Sequence, residues 1–88
     1  MPATQRFASA DKRLNNVYAS LLKGLESAAR EKLKQDQREW LIQRDTEAAI
    51  YANQRWSPFG DAALVEGKAI STEARVAELE KQLKRGTP

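Results

Sequence analysis

An all-α fold, a small antiparallel bundle of three helices, is predicted for this chain by three observations. Apolar residues recur at helical spacing through three separate segments. Breaker residues gather between those segments, around Gly24–Ser27 and Pro58–Gly60. With 88 residues the chain can bury only a limited core, so its stability should rest on a few long helices that each bury one stripe.

Residues 1–8 carry no clear period and are expected to form a flexible N-terminal segment. Ser9 has the chemistry of an N-cap, and after it Leu14, Val17, Tyr18, Leu21, Leu22 and Leu25 share one stripe at about 100° per residue. Lys12, Arg13, Ala19 and Lys23 point elsewhere. Gly24 followed by Ser27 predicts a break before the second helix.

Ala28 to about Asn53 is the longest helical pattern. Leu33, Gln37, Trp40, Arg44, Ala48 and Tyr51 line one face, Leu41 flanks it, and Ile42 is left looking outward. Two members of that inner stripe are polar, and Arg44 is the more demanding. A guanidinium on an apolar face must be paired or fully hydrogen-bonded. Asp11, Asn15, Glu47 and helix-end carbonyls are candidate partners, and a network of Asn15, Gln37 and Arg44 is expected to hold helix register. The competing reading has Arg44 catch an anionic ligand.

The segment NQRWSPFG interrupts the pattern. Its Trp56 and Phe59 are read first as a lid on the bundle end, and with Arg55 alternatively as a recognition tip, because Trp and Arg are enriched at interface hot spots. From Asp61 to Arg85 helical periodicity returns, with an interruption expected near Gly67. Thr72, Val76, Leu79 and Leu83 form its main stripe. Ile70, Ala74 and Ala77 make a second, smaller-residue face suited to a homodimer or partner contact. Gly86 and Pro88 stop the helix, which leaves a single domain over 9–85 and a tail over 86–88.

Composition removes much chemistry. Without Cys or His there is no thiolate nucleophile, imidazole base, His/Cys zinc site or disulfide, so no metal and no cofactor is expected. Asp45 and Glu47 are the acids nearest the inner stripe, and neither has an evident pocket, so no catalytic residue is assigned and a non-enzymatic role is expected. Fifteen basic and 12 acidic residues alternate along the chain, giving +3 overall and a mixed surface. No apolar run reaches signal-peptide or membrane-spanning length, so the chain reads as cytoplasmic, or periplasmic if a signal peptide has been removed.

Three segments, taken together, resemble the LprI-like lysozyme-inhibitor domain family. DKRLNNVYASLL fits the family's first motif at Asp11, Leu14, Asn15, Tyr18, Leu21 and Leu22. LKQDQREWLIQRD fits the second at Leu33, Gln37, Arg38, Trp40, Arg44 and Asp45, and STEARVAELE the third at Thr72, Arg75, Glu78 and Leu79. The Q-R-x-W-x-x-x-R-D run is the most specific, and the resemblance covers most of Ala10 to Glu80. The motif residues Leu14, Asn15, Tyr18, Gln37, Trp40, Arg44, Asp45, Arg75 and Leu79 sit mostly on the inner stripes, so their default role is structural. The resemblance implies a small helical protein-binding inhibitor that occludes a lysozyme. Members of that family are typically exported and carry cysteines, and the resemblance places two of those positions at Ala48 and Gly67. Their joint absence suggests a reducing compartment or a branch that has dispensed with the bridge.

Two other functions are carried alongside. Animal lysozymes are strongly basic, so simple charge steering toward a +3 chain is unfavourable, whereas an acidic toxin neutralised by an immunity protein or adaptor would be easier to attract. Arg30, Lys32, Lys34 and Arg38 cluster at the start of the second helix as a nucleic-acid module would require, but Glu31, Asp36 and Glu39 interleave with them.

Overall fold

The computed structural model describes residues 3–54 and 60–86. These form α1 (Ala3–Lys23), α2 (Ser27–Gln54) and α3 (Gly60–Gly86), with no strand among the described residues. Helix α2 turns back from α1. Helix α3 then runs parallel to α1, as the equal spacing of the Arg6–Glu73 and Arg13–Glu80 pairs shows. It runs antiparallel to α2, where Gln37 meets Arg75 and Tyr51 meets Glu66.

The turn between α1 and α2 falls where Gly24 and Ser27 predict it. Gly24 N–H donates to the Leu21 carbonyl at 3.1 Å, tightening the last turn of α1. Arg30 then reaches back from α2. Its Nε donates to the Leu22 carbonyl and its Nη2 to the Leu25 carbonyl, both at 3.1 Å, so one carbonyl at the end of α1 and one in the turn gain a cationic cap.

Helix α3 is the hub. It packs along both α1 and α2, while the backbones of α1 and α2 approach each other little. Residue size explains the asymmetry. The buried positions of α3 include Gly67, Ala69, Thr72 and Val76, which let its neighbours come close. Between α1 and α2 stand Phe7, Tyr18, Trp40 and Arg44, all half-buried. The core is Leu14, Leu21, Leu33, Val76 and Leu79, ringed by Val17, Tyr18, Leu22, Leu25, Trp40 and Leu83. Each buried Leu or Val contributes about 1.5–3 kcal/mol relative to leaving it in water. The stripes read from periodicity in all three helices are the buried ones, and Ile42 does face outward, 70% exposed.

Two local expectations are corrected. Helix α1 begins at Ala3 rather than at Ser9, which is exposed inside the helix. Tertiary contacts hold that first stretch: Phe7 lies over Arg44, Ala10 is buried, and Arg6 bonds Glu73. Helix α3 runs through Gly67 without interruption. A Cβ there would lie 3.2 Å from the Ala48 Cα and 3.1 Å from the Tyr51 ring. Gly67 therefore allows close contact with α2, which offsets the helix-propensity cost of glycine, about 1 kcal/mol.

Candidate functional site

Three residues of the sequence motifs, Trp40, Arg44 and Arg75, meet Phe7 in one stack. Trp40 projects from α2 between two guanidinium groups, Arg44 at 5.5 Å and Arg75 at 5.6 Å from its ring centroid. Arg44 also lies 5.3 Å from the ring of Phe7. The order Phe7–Arg44–Trp40–Arg75 thus joins all three helices through alternating rings and cations.

Arg75 is the best-buried guanidinium of the stack, 8% exposed. Its Nε and Nη2 both donate to Gln37 Oε1, at 3.1 and 3.0 Å, and its Nη1 donates to Glu78 Oε1 at 2.8 Å. Gln37 is itself buried, so α3 supplies the donor that α2 would otherwise lack. No described buried side-chain polar atom is left without a partner.

This arrangement corrects the expected Asn15–Gln37–Arg44 network. Asn15 is exposed, one residue beyond the buried Leu14 and off the stripe. Gln37 accepts from Arg75 of α3 rather than pairing with Asn15 or Arg44. Arg44 pairs with Asp45 of its own helix at 3.1 Å, and not with Asp11, Asn15 or Glu47. Asp45 is exposed and also approaches Lys68 at 3.8 Å. Leu14 and Leu79 are core, and Tyr18 packs against it. The sequence signal for Arg75 was its place in the third motif; its pairing with Gln37 had none.

The candidate recognition residues Arg55, Trp56 and Phe59 lie outside the described residues. The second face of α3 is exposed at Ile70, Ala74 and Ala77, as its pattern suggests. Ala48 and Gly67, where the family resemblance places cysteines, lie against each other: a Cβ on Gly67 would sit 3.4 Å from that of Ala48.

Two acids on the α1–α3 surface are held by arginines. Along the α1–α3 surface a shallow hollow contains Glu73 and Glu80. Glu80 meets Arg13 at 2.9 Å, and Glu73 meets Arg6 at 2.6 Å. The hydrogen bond from Arg6 and its charge hold the Glu73 carboxyl below the ordinary glutamate range, and the same contact raises Arg6. A general acid needs the opposite shift. Two of the four bases clustered at the start of α2 are engaged, Arg30 on backbone carbonyls and Lys34 on Glu31, while Lys32 and Arg38 are exposed. Among the described residues no acidic cluster could hold a metal ion, and no helix is long and apolar enough to cross a membrane.

A family model described as "Lysozyme inhibitor LprI" matches residues 2–84. No curated protein and no solved structure matches the chain.

Proposed function

Because the chain belongs to the lysozyme inhibitor LprI family, we propose that it is a non-enzymatic protein that binds a lysozyme-like enzyme and occludes its glycan cleft. The observation that carries this reading is the family match across nearly the whole chain. The helical body supports it: a stack of rings and guanidinium groups ties the three helices together, and Glu73 and Glu80 in the hollow between α1 and α3 are held by arginines. A rigid body loses little conformational entropy on docking, which favours inhibition by simple blockage.

The test is a turbidity assay of lysozyme on bacterial cell walls, run beside calorimetric titration of the two proteins. Saturable inhibition that tracks binding is the expected result. An enzyme that neither binds nor is slowed at micromolar chain overturns the reading. The net charge of +3 favours a second reading, an immunity protein or adaptor for an acidic toxin, which predicts binding to an acidic enzyme and none to a basic one.

A further inference from the structure

The outward face of α2 carries apolar side chains that nothing in the bundle covers. Ile42 is 70% and Ile50 50% exposed. With Thr46, Ala49 and Asn53, also exposed, they recur at i, i+4, i+7, i+8 and i+11, a strip about 17 Å long on the side of α2 away from Trp40 and Ala48. The Thr46 hydroxyl donates to the Ile42 carbonyl at 3.0 Å, so its methyl is the part left for outside contact. The strip is apolar at its centre.

One edge of the strip is acidic. Gln35, Glu39, Gln43 and Glu47 follow each other at four-residue spacing, all exposed. Gln35 donates to Glu39 at 3.3 Å and Gln43 to Glu47 at 2.9 Å, and among the described residues neither acid has a lysine or arginine within ion-pair distance. By contrast Glu31, Asp45, Glu73, Glu78 and Glu80 each meet a cation. Arg44, the one base between Glu39 and Gln54, is turned inward with its side chain 11% exposed. From Glu39 to Gln54 acids therefore outnumber bases, with exposed Arg38 just before that stretch, on a chain whose total charge is positive.

We propose that this face of α2 docks the partner enzyme, and that the surface it fits is an apolar groove with a basic rim beside the partner's cleft. The inference rests on the inhibitory reading above and deepens it. It also resolves the charge conflict, because steering follows the local field of the contacting patch and not the sum over the chain. An amphipathic helix laid into a groove is a recurrent recognition mode, with anchors at the spacing of Ile42, Ala49 and Ile50. A second copy of this chain is a poorer occupant, because antiparallel pairing of two such faces about their middle would bring Glu47 close to its own counterpart.

The experiment titrates the full chain into a basic animal lysozyme, using the wild type and three variants checked for helicity. Ile42→Gln/Ile50→Gln removes the apolar anchors with a better helix former, and Glu39→Lys/Glu47→Lys reverses the edge. Ile70→Gln on the outer face of α3 is the control. The first two are expected to weaken binding at least about tenfold, the charge reversal also altering its salt dependence, while the control stays within about twofold. Tight binding by the wild type that both α2 variants retain overturns this docking face and leaves the inhibitory function standing. No binding by the wild type removes both. A wild-type dimer that the Ile42→Gln/Ile50→Gln variant abolishes would assign the face to self-association and overturn the proposal.

Discussion

Replacing Arg75 by Met tests the central stack most directly. Met keeps most of the volume and removes the charge. The variant loses the Gln37 contact at 3.0–3.1 Å, the Glu78 contact at 2.8 Å and the cation over Trp40. Gln37, buried at 8% exposure, is left with its carbonyl oxygen unmatched. An orphaned buried acceptor costs about 1–3 kcal/mol, and the lost cation–π contact adds about 0.5–1. Relief of the guanidinium's own desolvation offsets part of this, so a net loss of about 2–3 kcal/mol is expected. In a domain of this size that lowers Tm by about 10–20 °C. The discriminating measurement is a double-mutant cycle in urea followed by far-ultraviolet circular dichroism. Gln37→Leu/Arg75→Met removes both polar partners and should return to within about 1 kcal/mol of the wild type. A neutral Arg75→Met, or two single losses that merely add, would refute the idea that this pair fixes the register of α2 on α3.

Arg44→Met should cost less, about 1 kcal/mol, because its ion pair is with exposed Asp45 and a Met can still fill the space between Phe7 and Trp40; a larger loss than Arg75→Met would reverse the assignment of the two arginines. Ala48→Cys/Gly67→Cys should oxidise spontaneously, since the two Cβ positions are 3.4 Å apart. The cross-link should add up to about 3 kcal/mol by closing its loop, less the crowding against Ala48, and thiols that stay free under air would show that the α2–α3 register is wrong. The Glu73 carboxyl is lowered in the folded chain, so its contribution is present above the free glutamate value of 4.5 and is lost as pH falls through the folded value. Both partners are exposed and the effect is small; Arg6→Met should flatten the acid limb of the stability curve, and an unchanged limb would count against the pair.

The three helices and the turn at Gly24–Glu26 were legible because each depends on neighbours in the chain: a 3.6-residue period writes the stripe of Leu14, Tyr18 and Leu21 into local order. The outward Ile42 followed from the same period. The N-terminal turns of α1 were not legible, since Phe7 and Arg6 are held by Arg44 and Glu73, residues far along the chain. Gly67 misled for a related reason: alone it signals a break, and against Ala48 it is a contact surface.

By itself, then, the sequence determined the helical class, the buried face of each helix and the family motifs, all properties of spacing along one chain. Tertiary structure alone decided that Gln37 takes Arg75 instead of Arg44, that Trp40 sits between two guanidinium groups, and that Glu39 and Glu47 meet no cation among the described residues beside an open apolar strip. The physical reason is that such pairings depend on the axial register and approach distance of packed helices. Those are set by side-chain size at positions such as Gly67, Ala69 and Thr72, where residues far apart in the chain meet.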